Sequence, residues 1–192
     1  MSRSIKPVLF ACIALIAAVS IRAADEPKDV AVAFAKAITE GDKKATHEVA
    51  AGTEEQLKTL DLMTDMLHGI LKFKAACDAK FGAENVLSKS MAGGVPDLVD
   101  EVKKSEAKEE GDTVTFIDKA KPDDKHPLKL KKVDGKWKVD LSSMGDEAKD
   151  MPAGMGKMFG DFADEINAGK YKTAEEAAVA FQKKMQPPAE AK

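Results

Sequence analysis

Between residues 24 and 82 the apolar positions recur with the period of an α-helix, and glycines interrupt the pattern. The first predicted helix covers 29–40 and is followed by Gly41, a residue type that commonly ends helices. Asp42 is placed to cap a short second helix, which we expect to run to Ala51. The apolar face of the first helix carries Val30, Phe34, Ala37 and Ile38.

The longest predicted helix begins after Thr53 and runs to about Phe81. Thr53 and Gln56 have the spacing of a capping box, in which each side chain bonds the other residue's free backbone N–H. Lys74 falls near the centre of the apolar stripe of this helix, and two interpretations stay open. Its stem could snorkel at the end of the core, or its charge could line a pocket. The stripe contains Leu57, Leu60, Met63, Leu67, Ile70, Leu71, Cys77 and Phe81.

After a predicted loop at 83–97 the period changes to that of β-strands. We expect a polar edge strand at 102–109 and a second strand at 113–118. Asp134-Gly135 between two alternating segments is the pattern of a hairpin with a type I′ turn. The resulting register sets Leu130 opposite Val139 and Lys132 opposite Trp137. One face of this hairpin is apolar, and the long helix is its expected cover.

The C-terminal residues 142–186 predict a helical extension. Helices are expected at 161–167 and from Thr173, which forms a capping box with Glu176, to about Met185. Pro187 and Pro188 should end the last helix and leave a disordered tail at 187–192. The predicted class is α+β: N-terminal helices, including one long helix, packed on an antiparallel β-meander, with a C-terminal helical extension, all in one domain at 24–186.

The N-terminal residues 1–23 have the order of a secretory signal peptide. Arg3 and Lys6 precede an apolar run, and a small residue, Ala23, stands before the expected cleavage point. The prediction is a periplasmic or secreted protein that has no membrane segment after cleavage. A lipoprotein modified at Cys12 and a retained anchor are the alternatives, although the run is shorter than the roughly 20 residues of a spanning helix.

The charge of the chain restricts the kinds of partner that it could bind, and its cysteine content restricts the disulfides that it could form. The chain carries 30 Lys and Arg against 33 Asp and Glu, interleaved along its length, with a formal net charge of −3. No basic patch is evident, so nucleic acid is not an expected partner. Loss of Cys12 with the signal leaves Cys77 as the one thiol, which excludes an intrachain disulfide. We expect Cys77 to be a buried, unreactive thiol, with a disulfide between two copies as the alternative.

Two segments carry a family resemblance. Residues 30–38 (VAVAFAKAI) with Gly41-Asp42 and Ala45, and residues 130–139 (LKKVDGKWKV), resemble secreted bacterial members of the nuclear-transport-factor-2-like, or cystatin-like, α+β superfamily. The resemblance implies a curved sheet wrapped on a long helix, often with a pocket between them, and often a homodimer. Members include binding modules and enzymes, so the resemblance leaves the function open.

No nucleophile elbow, phosphate loop or His-Cys metal cluster occurs in the sequence. His68 is expected to face solvent, His126 lies at a loop end, and His47 lies on the short second helix. Asp61 and Asp65 share a polar helix face, for which solvation is the better interpretation than acid–base catalysis. We therefore predict no catalytic residues, no cofactor and no metal site.

The methionines offer one competing hypothesis. Met151, Met155 and Met158, with Met144 nearby, have helical spacing, and thioethers are ligands suited to Cu(I). A Met face of this kind is more often core filling or a pliable contact surface.

The leading hypothesis is a non-catalytic binding or interaction module of the cell envelope. Its ligand would be a small apolar or anionic molecule, held between the long helix and the hairpin with Lys74 at one end. A small pocket enzyme of the same superfamily and a soft-metal carrier using the Met-rich segment are the alternatives.

Overall fold

A computed structural model describes residues 26–91, 97–119, 127–143 and 154–186. These residues form helices and a five-stranded sheet, which confirms the α+β class and the C-terminal helical part. The predicted signal peptide and the predicted disordered tail lie outside the described residues. The elements are α1 (Pro27–Glu40), α2 (Lys43–Val49), β1 (Ala50–Ala51), α3 (Glu54–Phe81), α4 (Val86–Met91), α5 (Leu98–Lys104), β2 (Glu106–Glu110), β3 (Thr113–Ile117), β4 (Leu128–Val133), β5 (Lys136–Asp140), α6 (Met155–Asn167) and α7 (Ala174–Met185).

The predicted caps at the N-terminal helices are present. Gly41 adopts a left-handed conformation with φ of 75° and ends α1. The Asp42 Oδ1 atom accepts the N–H of Ala45 at 2.9 Å and starts α2. Thr53 and Gln56 make both bonds of the capping box of α3, at 2.8 and 3.3 Å. One boundary differs from the prediction, because α2 ends at Val49 and the next two residues form a strand.

The sheet has the order β1-β5-β4-β3-β2. The strands β2 to β5 form an antiparallel meander, and the two-residue β1 pairs in parallel with β5. The hairpin has the predicted register, with Leu130 opposite Val139. Asp134 and Gly135 both have positive φ, of 52° and 76°, as a type I′ turn requires. The Lys132 ammonium lies 4.8 Å from the centroid of the Trp137 ring.

The prediction of a loop at 83–97 and of a strand from residue 102 is wrong in two places. It contains α4, and residues 98–104 form the helix α5, whose N-terminus is capped by Asp97. The strand β2 therefore begins at Glu106, and it is the exposed edge strand that we expected. A helix of seven residues completes barely two turns, so its periodicity is too short to distinguish it from a polar strand.

The first hydrophobic cluster joins α1 to the sheet. Phe34 and Ile38 of α1 pack against apolar residues of β3, β4 and β5, and Val102 of α5 joins the same cluster. The long helix α3 was expected to be the cover, but it contributes only Leu60 to the buried set of this cluster. The main cover is α1. The sheet residues buried there are Ala50, Val114, Phe116, Leu130, Trp137 and Val139.

A second cluster lies between the C-terminal half of α3 and the helices α4, α6 and α7. Phe73 stacks on Phe181 at 4.8 Å between ring centroids and meets Phe162 edge-on at 5.6 Å. Because α3 packs on different partners along its length, its buried residues differ from the predicted stripe. Leu60 and Cys77 are buried as expected, whereas Met63, Leu67, Ile70 and Leu71 are half-buried, and Thr64, Gly69 and Phe73 are buried in their place.

The helix α6 begins at Met155, six residues earlier than the predicted helix. Its Gly156 lies against Gly69 of α3. The backbones meet so closely that a Cβ atom on Gly69 would lie 2.2 Å from the Gly156 carbonyl oxygen. No helix among the described residues is both long and apolar enough to cross a bilayer.

Candidate functional site

A cavity of about 250 Å³ lies between α1, α5 and the sheet. Helix α1 forms one wall with Phe34 and Ile38, and β3 contributes Phe116. Helix α5 forms the opposite wall with Leu98 and Val102. These side chains are apolar, so the cavity offers mainly van der Waals contact and exclusion of water to a ligand.

Helix α5 positions the polar lining of the cavity. Leu98, Glu101, Val102 and Ser105 all line it, because residues three and four apart lie on one face of a helix. The Ser105 hydroxyl donates to the Glu101 carbonyl oxygen at 2.8 Å, which satisfies a carbonyl at the end of α5. Asp118 also lines the cavity, and it takes part in an interaction of its own. Two carboxylates thus stand in an otherwise apolar site.

This cavity is not the one that the sequence predicted. Lys74 lies on the part of α3 that belongs to the second cluster, and it does not line the cavity. Its ammonium donates to the Asp78 carboxylate at 2.5 Å, and its side chain is 35 % exposed. Ser88 donates to the same carboxylate, and these two bonds lower the pKa of Asp78. The exposure and the ion pair of Lys74 fit the snorkelling interpretation better than the pocket-lining one.

The histidines within the described residues do not line the cavity either. His68 is exposed, as predicted, and its Nδ1 atom is hydrogen-bonded to the Thr39 carbonyl at 3.1 Å. The Nε2 atom of His47 lies 2.8 Å from Asp61 Oδ1. Both side chains are partly buried, so this pair joins α2 to α3. His126 lies outside the described residues.

Asp61 and Asp65 have a structural role that the sequence did not predict. We expected a solvated face, but Asp61 binds His47, and Asp65 accepts a hydrogen bond from Lys43 at 2.7 Å. Helix α2 is thereby held on α3 by two polar contacts four residues apart.

A second, shallower groove crosses the contact between α3 and α6, and it is lined by charged residues over a floor of glycines. Its charges are paired with one another or with neighbours. Lys72 binds Asp164 at 2.9 Å, and Lys157 binds Asp161 at 2.6 Å. A surface of satisfied ion pairs offers a ligand little unpaired charge.

The predicted methionine cluster is only partly described. Met155 and Met158 lie on α6 and are half-buried, while Met144 and Met151 lie outside the described residues. Within the described part of the chain, no group of three His, Cys, Asp or Glu side chains is arranged to hold a metal ion.

Cys77 is fully buried in the second cluster, as expected from the sequence. Burial, together with the neighbouring Asp78 carboxylate, raises the pKa of its thiol to about 12. The thiolate is the reactive form of cysteine, so Cys77 is an inert core residue in the folded protein.

Sequence reasoning missed the cavity because it missed α5. A signal was present: Asp97 and Asp100 have the spacing of an N-cap followed by an acidic first turn, and Leu98 and Val102 are four apart. The polar run that follows, from residue 103 to 112, obscured it.

The lining of the cavity combines apolar surface with charged groups. Its walls supply apolar contact area, its carboxylates supply charge, and the described histidines and Cys77 lie elsewhere. Comparison of the chain with protein-family models, with curated proteins and with solved structures finds no match.

Proposed function

We propose that this protein is a non-catalytic binding module of the cell envelope, and that it holds a small, largely apolar molecule in the cavity between α1, α5 and the sheet. The observation that carries the proposal is the apolar cavity of about 250 Å³. An apolar cavity of roughly 150 Å³ accepts benzene, so this one has room for about ten non-hydrogen atoms.

The rigidity of the walls supports a binding role. Phe34, Val102 and Phe116 are buried members of the first hydrophobic cluster, so their positions are set by packing before any ligand arrives. A site that is formed in advance does not lose the free energy of ordering its walls when it binds.

Two further parts of the proposal depend on the sequence. The signal-peptide pattern of residues 1–23 supports export to the periplasm or beyond. The order of N-terminal helices followed by a β-meander supports the resemblance to the nuclear-transport-factor-2-like superfamily, in which pockets and homodimers are common. An intact mass that lacks residues 1–23, measured on protein from the envelope fraction, would support export, and a mass that includes Met1 would contradict it.

The cavity is tested with 2-phenylethanol, a neutral probe with nine non-hydrogen atoms. We expect its titration into isotope-labelled protein to shift the backbone NMR signals of α1, α5 and β3. Ala35 lines the cavity, so Ala35→Met should fill it and abolish these shifts. Ala33→Met is the matched control, because Ala33 lies on the same helix but is exposed.

The thermal midpoint of each variant shows whether it folds. If Ala35→Met fails to fold, Ser105→Leu fills the cavity from α5 instead. The proposal is contradicted if 2-phenylethanol at millimolar concentration shifts no signals of the cavity walls, or if a folded filling variant binds it as well as the wild type does.

A further inference from the structure

We infer that the cavity selects a small organic ammonium, an apolar body that carries one cationic group, and that the Glu101 carboxylate binds this group. The inference rests on the proposed binding function of the cavity and names the class of ligand that it takes. It replaces the sequence expectation of an apolar or anionic ligand.

The state of the half-buried carboxylates carries the inference. Except for Glu101, every half-buried acidic residue in the described part of the chain interacts with another group. The Glu101 carboxylate has neither a hydrogen bond nor an ion pair with any described residue. Asp118 interacts as well, and the others bind a basic side chain: Asp61 binds His47, Asp78 binds Lys74, Asp140 binds Lys131 and Glu165 binds Lys184.

A carboxylate that is partly removed from water has lost hydration, and this fold replaces that hydration with a basic side chain at Asp61, Asp78, Asp140 and Glu165. Glu101 lines a cavity whose volume could hold such a partner as part of a ligand. A ligand ammonium would donate a charge-assisted hydrogen bond to the carboxylate. Beside apolar walls, the attraction between the two charges is several times that in water.

Two lysine ammonium groups at α5 are engaged elsewhere. The Lys104 ammonium donates to Asp100 at 2.5 Å, and the Lys28 ammonium donates to the Lys103 carbonyl at 2.8 Å. The backbone of Glu101 is held by the end of α5, where Ser105 bonds its carbonyl through both the hydroxyl and the backbone N–H. Glu101 is therefore fixed in the wall of the cavity.

The charge of the Glu101 carboxylate should also discriminate between ligands. It raises the free energy of an anionic ligand in the site and lowers that of a cationic one. The apolar walls do not discriminate between probes that share the same hydrocarbon body. Charge alone should therefore rank a set of probes that differ only in their polar group.

Three probes with the same phenyl group test this ranking: 2-phenylethylammonium, 2-phenylethanol and phenylacetate. Each is titrated at low salt, and its Kd is read from the NMR signals of α1 and α5. We expect the ammonium to bind about tenfold more tightly than the alcohol, because its hydrogen bond to the carboxylate joins two opposite charges whereas that of the alcohol involves only one. Phenylacetate should bind most weakly.

Glu101→Gln removes the charge and keeps the size of the side chain. We expect it to bring the Kd of the ammonium close to the Kd that the alcohol has for the same variant. Glu109→Gln is the matched control, because Glu109 is exposed on β2 and does not line the cavity. The control should keep the wild-type preference for the ammonium, and both variants should keep the wild-type thermal midpoint.

The outcomes separate the two proposals. If the alcohol binds in the cavity but the ammonium binds no more tightly, or if its preference survives Glu101→Gln, the inference about Glu101 is overturned and the binding function stands. If none of the three probes binds the wild type, the proposed function itself fails.

Discussion

Single glycines set the distance between α3 and α6. A Cβ atom on Gly69 would meet the backbone of Gly156 at 2.2 Å, and one on Gly156 would meet the Asp65 carbonyl oxygen at 2.3 Å. The sequence draws attention to Gly156 and Gly160 as a pair of small residues four apart. A Cβ atom on Gly160, however, would have no neighbour within 4 Å. The close contact is therefore between Gly156 and a glycine on another helix.

The two glycine environments predict opposite effects of alanine. Gly69→Ala should lower the free energy of unfolding by about 2 kcal/mol or more, because the backbones of α3 and α6 must separate. Gly160→Ala should raise it by about 0.5–1 kcal/mol, since alanine favours a helix interior and nothing obstructs it. Chemical denaturation measures both. A similar change in the two variants would show that the helices are not in backbone contact at Gly69.

Two buried threonines differ in their hydrogen bonds. Thr64 and Thr46 are both fully buried. The Thr46 hydroxyl donates to the Lys43 carbonyl at 2.7 Å, whereas the Thr64 hydroxyl has no partner among the described residues. A buried hydroxyl without a partner costs about 1–3 kcal/mol, because it has lost its hydrogen bonds to water.

Substitution of valine for Thr64 and for Thr46 measures the free-energy cost of the hydroxyl that lacks a partner. Thr64→Val replaces the hydroxyl with a methyl group of similar size and should raise the free energy of unfolding by about 1 kcal/mol. Thr46→Val should lower it, because a satisfied hydrogen bond is lost. The comparison uses thermal or denaturant unfolding of both variants. Equal destabilisation by the two changes would mean that the Thr64 hydroxyl is satisfied in solution.

At the scale of elements, the Glu165 carboxylate of α6 binds two parts of the C-terminal segment. One is the connection between α6 and α7, and the other is α7 itself. Glu165 accepts a hydrogen bond from the Tyr171 hydroxyl at 2.5 Å and another from the Lys184 ammonium at 2.9 Å. These bonds, together with Lys170, lower the pKa of Glu165 to about 2. Burial, together with its hydrogen bond to Glu165, raises the pKa of Tyr171 to about 12.

The pKa of Glu165 predicts an acid-labile contact. Because the folded-state pKa lies below the ordinary value of 4.5, the stabilisation is complete above pH 4.5 and is lost as the pH falls toward 2. Glu165→Gln should therefore be less stable than the wild type at pH 7, and the difference should shrink between pH 4.5 and 2. Tyr171 acts in the opposite direction, since its stabilisation is present below pH 10 and is lost as the pH rises through 12.

Unfolding free energies of the wild type and Glu165→Gln across this pH range provide the test. Asp161→Asn is the control, because Asp161 lies on the same helix but pairs only with Lys157 on an exposed surface. Its stability difference from the wild type should be small at every pH. A difference for Glu165→Gln that stays constant from pH 7 to 2 would contradict the assignment.

Elements with strong local signals were predictable. The caps at Gly41 and Thr53 and the turn at Asp134-Gly135 satisfy their backbone groups within a few residues, so the sequence contains all the partners. The helix α7 was predicted with its N-cap at Thr173. There the Glu176 side chain bonds the N–H of Lys172 in place of the N-cap, which makes it a variant of the expected box.

The whole molecule is organised around α3, which contributes to both hydrophobic clusters. Its N-terminal half adds Leu60 to the sheet cluster, and its C-terminal half adds Phe73 and Cys77 to the helical cluster. The chain has one tryptophan and one tyrosine, and they lie in different clusters. Trp137 therefore reports on the sheet, and Tyr171 reports on the C-terminal helices.

These two natural probes predict a single unfolding transition. Because α3 is a continuous helix of 28 residues shared by both clusters, loss of either cluster should expose the other. Trp137 fluorescence and the NMR signal of fluorine-labelled Tyr171 should give the same denaturant midpoint. Phe162→Ala, which removes a fully buried ring in the helical cluster, should lower both midpoints together, with a loss of about 3–5 kcal/mol.

Two separate unfolding transitions would contradict this prediction. If Tyr171 reports unfolding at a lower denaturant concentration than Trp137, the C-terminal helices form a separate cooperative unit. Phe162→Ala would then shift the Tyr171 transition alone.

The sequence by itself determined the α+β class, the long helix, the hairpin register and the capped ends of α1, α2, α3 and α7. Each of these depends on periodicity or on hydrogen bonds between residues close in the chain, as at Thr53 with Gln56. Tertiary structure alone decided that α1 covers the sheet, that Gly69 meets Gly156 and that Glu101 lines a cavity without a described partner. These features depend on which surfaces meet, because burial and ion pairing join residues distant in sequence, and a local pattern carries no record of its remote neighbour.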